Sequence, residues 1–119
     1  MRKISVMLLT FFMVAVLAAA PDISGTWDVE ANFDDPSSGA GGFDCVVKQN
    51  AERLTGTCSE GTAALAGEID GQKVTWRVSN MAQPPVVTTF TGALNASGTA
   101  IEGRFNTGAK GGSFTAAKR

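Results

Sequence analysis

The chain has no histidine and no tyrosine, two cysteines, four prolines and no block of like charge. Without histidine, Ser-His and Cys-His nucleophile pairs and histidine-bound metal centres are all excluded. Ten Lys and Arg against 11 Asp and Glu give a net charge of −1, and both signs are scattered. The basic patch that attracts nucleic acid is therefore lacking. Helical periodicity is missing too, so the secondary structure has to come from sheet.

A single long apolar run is present, and it sits at the start. Arg2 and Lys3 precede Ile4 to Leu17, which is broken by Ser5 and Thr10, and Ala18-Ala19-Ala20 follows. That order of basic, apolar and small residues is a secretory signal, expected over residues 1–20, with cleavage after Ala18 or Ala19. The run is shorter than the roughly 20 residues of a membrane-spanning helix, so no stable span is expected after cleavage. No cysteine follows it, which argues against a lipid anchor. Residues 21–119 then form the single mature domain, exported to the periplasm or the extracellular space. Losing Arg2 and Lys3 takes ten basic residues to eight against 11 acids, so −1 becomes −3.

What the mature chain does have is alternation. Trp27, Val29, Ala31 and Phe33 share one parity, while Asp28, Glu30 and Asn32 take the other. The pattern returns through Phe43, Cys45 and Val47, through Val74, Trp76 and Val78, and through Ile101 and Phe105. Period two repeated this often predicts strands with one buried and one wet face. Eight are expected, near 24–33, 43–49, 53–59, 62–70, 73–81, 86–95, 99–106 and 113–118. Asp34 to Gly42 reads as a polar, glycine-rich loop, and Asp70-Gly71 and Asn95 to Gly98 read as turns. Short connections between sequential strands predict an all-β, eight-stranded antiparallel up-and-down barrel, which closes off exposed edges. Gly56, Gly67, Gly92 and Gly103 inside strands are expected where a small barrel coils tightly.

Two cysteines in an exported chain of this size predict one disulfide. A hairpin turning at residues 51 and 52 puts Cys45 opposite Cys58, close enough to be joined.

The opening strand Ile23-Ser24-Gly25-Thr26-Trp27 resembles that of avidin and lipocalin barrels. Leu54-Thr55-Gly56-Thr57, Val74-Thr75-Trp76, Thr88-Thr89-Phe90-Thr91-Gly92 and Ser113-Phe114-Thr115 follow in avidin-like order. The resemblance implies a calycin-type meander with its ligand in the barrel. It does not extend to biotin chemistry. The liganding tyrosine and serine of the third strand are replaced by Cys58 and Glu60, and the first-strand contacts by Val29 and Phe33. Only Trp76 and Thr88 match by position. A second, weaker resemblance is to periplasmic metalloprotease inhibitors, barrels with a Ser-Gly-x-Trp start and one disulfide, whose N-terminal tail enters the protease.

The candidate site is the apolar parity itself. Trp27, Phe43, Trp76, Thr88, Phe90 and Phe105 are the expected ligand contacts if the interior keeps a pocket, and core filling if it does not. Asp28, Glu30, Asp34 and Asp35 are expected in solvent, where carboxylates supply no acid–base pair. Calcium at Asp34, Asp35 and Asp44 matches no known loop spacing. Asn95-Ala96-Ser97 is a glycosylation sequon. No metal, cofactor or catalytic residue is expected. The function read from sequence is non-enzymatic binding of a small, largely apolar ligand. The alternative is contact with a protein partner through the outer face, the N-terminal tail or the 34–42 loop.

Overall fold

A computed structural model describes residues 21–80 and 84–119. The expected signal segment and its cleavage site lie outside the described residues. Eight strands follow in chain order: β1 (Gly25–Phe33), β2 (Ala40–Asn50), β3 (Arg53–Cys58), β4 (Ala63–Asp70), β5 (Lys73–Asn80), β6 (Val87–Leu94), β7 (Ala100–Thr107) and β8 (Lys110–Lys118). Each pairs antiparallel with its chain neighbour, and β8 returns to β1, closing an up-and-down barrel. With no unpaired edge, every strand's backbone is satisfied on both sides.

Alternation decides what is inside. In β4, Ala63, Leu65 and Ile69 are buried while Ala64, Glu68 and Asp70 are exposed. Among the described residues the buried set contains no charged or polar residue. Outward positions instead carry Asp28, Glu30, Lys48, Glu68 and Glu102, all exposed. A membrane barrel needs an apolar band on that surface, and this outer wall is charged.

Glycine permits the curvature at inward positions. A Cβ on Gly67 would lie 2.1 Å from the Thr75 carbonyl oxygen and 2.6 Å from Trp76 Cα. Gly103 is as tight, at 2.0 Å from the Thr91 oxygen. Backbone clashes of this kind cannot be relieved by a rotamer change, so the strands coil this closely only where the side chain is absent.

The two ends of the barrel differ. Loops 51–52, 71–72 and 95–99 cap one end together with residues 21–24. There Ile23 is completely buried, its amide donates to Gln49 Oε1 at 2.8 Å, and its carbonyl accepts from Trp27 Nε1 at 2.9 Å. Trp27 and Trp76 meet edge to face with centroids 6.5 Å apart, filling this half. Loops 34–39, 59–62 and 108–109 border the other end.

Sequence expectations and structure differ at three junctions. Strand β2 begins at Ala40 rather than 43, because Ala40, Gly41 and Gly42 pair with Asn32, Ala31 and Glu30. Strand β8 begins at Lys110 rather than 113, because Lys110 to Gly112 pair with Thr107 to Phe105. Residues without bulk carry no alternation signal, so pairing alone reveals these extensions. The expected 34–42 loop is correspondingly shorter and holds a single 3-10 turn, Pro36–Ser38, capped by the Asp35 side chain. In the β4–β5 hairpin the two loop residues are Gly71 and Gln72, with Asp70 paired to Lys73.

Candidate functional site: the open mouth of the barrel

The cysteines form a disulfide between directly paired residues of β2 and β3, with Cα atoms 4.0 Å apart. The two-residue turn at Ala51-Glu52 sets this register, since Asn50 faces Arg53. Counting back along the ladder places Cys45 and Cys58 at a non-hydrogen-bonded pair, the closer kind. Both are about 1% exposed, so the bond is walled off from solvent reductants. It also fixes the foot of the β3–β4 turn at the barrel mouth. In that turn Ser59, Glu60 and Gly61 all adopt left-handed backbone conformations, with φ of 55°, 58° and 88°.

At this open end lies a cavity of about 340 Å³. Its apolar wall is Ala31, Phe33, Phe43, Ala63, Val78, Val86, Phe90 and Phe105. The aromatic part is one packed cluster. Phe90 meets Phe105 at 5.6 Å, Phe43 at 5.9 Å and Phe114 at 5.1 Å, and Phe33 meets Phe105 edge-on at 5.1 Å. Polar groups reach the cavity from Ser59, Asn80, Thr88 and Thr107, and among the described residues no charged side chain lines it. Gly41 and Gly42 complete the wall, and a Cβ added to Gly41 would touch nothing within 4 Å. On that side the inward position of β2 next to Phe43 is Gly41, the partner of Ala31, which puts no side chain into the mouth.

Register explains how these groups come together. Trp76, Phe90 and Phe105 are successive cross-strand partners on β5, β6 and β7. One inward step toward the mouth, Val78, Thr88 and Thr107 are partners in the same way. The cavity therefore rests on aromatic rings and has a threonine pair above them.

The six residues expected from sequence are divided by this arrangement. Phe43, Thr88, Phe90 and Phe105 line the cavity. Trp27 and Trp76 do not, since both pack in the closed half, where they are 0% and 1% exposed. Parity placed them inside the barrel correctly but carries no information on their height along its axis. Phe33 and Val78, already on the inward parity read from the sequence, line the cavity as well, and so does Thr107. Thr107 shares the inward parity of Phe105 two residues away, the one signal that could have found it. Val86 keeps the inward parity it shares with Phe90 although it precedes β6, and Ser59 lies in the turn after β3.

The carboxylates are arranged elsewhere and for other purposes. Asp28 receives Arg119 Nη2 at 2.7 Å, and Asp34 is paired with Arg104. The Arg104 hydrogen bonds hold Asp34 below the usual carboxylate range, and the Ser37 amide and hydroxyl do the same for Asp35. All four of Asp28, Glu30, Asp34 and Asp35 are exposed. Among the described residues no three acidic or cysteine side chains converge as metal ligands. Asn95 of the sequon is occupied locally: its Oδ1 accepts from the Thr99 and Ala100 amides, at 2.9 and 3.1 Å. A larger groove of about 580 Å³ runs outside β3 and β4, bordered by the charged side chains of Glu52, Arg53, Glu68 and Arg77.

No protein-family model matches this chain, and no curated protein sequence matches it significantly. The closed eight-stranded antiparallel barrel is consistent with a calycin-like architecture. Nothing beyond that architecture ties it to avidins, lipocalins or metalloprotease inhibitors. Among the described residues no helix is long and apolar enough to cross a membrane.

Proposed function

We propose that this chain is an exported, non-enzymatic binding protein that holds a small, largely apolar molecule in the mouth of its barrel. The observation that carries the reading is the asymmetry of the interior. One end is filled by Ile23, Trp27 and Trp76, while the other keeps a phenylalanine-walled cavity. Its volume falls at the lower end of the ~300–1,000 Å³ typical of ligand sites, which matches a small molecule. The absence of any carboxylate on the cavity wall supports binding over catalysis. The buried disulfide supports an oxidising compartment.

The neutral fluorophore N-phenyl-1-naphthylamine tests the reading, alongside native mass spectrometry of protein from the exported fraction. We expect saturable one-to-one uptake of the dye or a retained small-molecule mass. Phe43→Ala removes a half-buried ring at the rim and should weaken dye binding about tenfold or more. Failure to take up the dye, with an empty barrel in the mass spectrum, would defeat the proposal.

A further inference from the structure

The cavity wall has a direction as well as a size. Its floor is aromatic, with Phe90 and Phe105 cross-strand partners whose rings tilt by 30°. The next inward pair toward solvent is Thr88 and Thr107, again partners across β6 and β7. Both are half-buried, and neither side chain makes a hydrogen bond among the described residues. Three strands round the barrel, Ser59 brings a third hydroxyl to the mouth, on the left-handed turn that the disulfide anchors. Its Oγ is likewise unengaged, while its carbonyl accepts from the Thr62 amide and hydroxyl. Cations on the strands around the cavity are committed elsewhere: Arg77 to Glu68, Arg104 to Asp34, and Lys110 to Ser38 Oγ at 3.1 Å.

Resting on the binding reading above, we infer that the occupant is a neutral aromatic molecule with one hydroxyl-like polar end. The ring system lies on Phe90 and Phe105, and the polar end meets Thr88 and Thr107 toward the mouth. The ring faces favour an aromatic partner in offset or edge contact over a flexible alkyl chain. Hydroxyls donate and accept, so the threonine pair can serve an alcohol or a phenol in either sense. A carboxylate or ammonium would meet no opposite charge among the described lining residues and would lose part of its hydration, which is unfavourable. Fatty acids and organic cations are thereby disfavoured, while phenols, aromatic alcohols and their neutral relatives remain.

Three molecules of nearly one shape separate these terms: naphthalene, 2-naphthol and 2-naphthoate, each titrated as a competitor of N-phenyl-1-naphthylamine. We expect 2-naphthol to compete best and 2-naphthoate to be at least tenfold weaker. Thr88→Val with Thr107→Val keeps side-chain shape on strands that favour valine. It should weaken 2-naphthol relative to naphthalene about three- to tenfold, the range of a net hydrogen bond. An unaltered melting temperature would show that the barrel is intact. If 2-naphthoate equals 2-naphthol, or the valine variant binds 2-naphthol undiminished, the inference falls and the apolar pocket stands. If the dye itself never binds, the pocket reading fails and takes this inference with it.

Discussion

The two tryptophans provide an internally controlled test of hydrogen bonding in the closed half of the barrel. Both are essentially fully buried, and they touch each other. They differ in one respect. Trp27 Nε1 donates to the Ile23 carbonyl at 2.9 Å, while Trp76 Nε1 is buried with no hydrogen-bond partner among the described residues. Changing either to phenylalanine removes a similar apolar volume, so that loss cancels in the comparison. Trp27→Phe additionally strands the Ile23 carbonyl, which costs about 1–3 kcal/mol. Trp76→Phe instead removes an unsatisfied donor and recovers about 1–3 kcal/mol of desolvation. Trp27→Phe should therefore be the more damaging by about 2–6 kcal/mol, or about 10 °C or more in melting temperature for a domain of this size. Urea titration measures the difference, and each variant keeps the other tryptophan as its fluorescent reporter. Equal costs within about 0.5 kcal/mol, or a costlier Trp76→Phe, would refute the reasoning.

Two further predictions concern the wall and the surface. Cys45 and Cys58 are 13 residues apart, and closing a loop of that length stabilises by about 3 kcal/mol through the unfolded chain. Cys45→Ala with Cys58→Ala should lower the melting temperature by at least about 10 °C, and a shift below about 4 °C would count against the entropic account. Asp22, Asp34 and Asp35 are each held below the usual carboxylate range, by the Ser24 amide, by Arg104 and by the Ser37 amide respectively. The unfolded chain thus takes up protons first on acidification. The associated stability is complete above about pH 4 and is lost as pH falls through the lower folded values. Melting curves from pH 6 to pH 2.5 should decline only at the acid end, less steeply for Asp34→Asn with Asp35→Asn. A rise in stability with acid would contradict this sign.

Much of the architecture was legible before any coordinates. Alternation in segments such as Trp27 to Phe33 and Val74 to Val78 specifies strands, because a two-residue period leaves one face dry. The same alternation fails at Ala40-Gly41-Gly42 and at Lys110-Gly111-Gly112, where glycine has no side chain to bury or expose. Cys45 and Cys58 were matched by counting from a two-residue turn, since antiparallel register follows from turn length. Local chemistry was sufficient for all of these.

The site was only partly legible, and its aromatics show why. Trp27, Trp76, Phe90 and Phe105 have the same parity and the same apolar character, yet the tryptophans pack on each other away from the cavity while the phenylalanines line it. Whether a side chain points inward is a property of its own strand. How far along the axis it sits depends on the stagger of eight strands, on the coiling allowed at Gly67 and Gly103, and on Ile23 folding in beneath Trp27. The pairing of Thr88 with Thr107 above Phe90 and Phe105 is of the same kind. The sequence by itself determined the strands, their inward faces and the disulfide partners. Only the closed barrel decided which end is filled and which is open, because relative height in a barrel arises from all the pairings together.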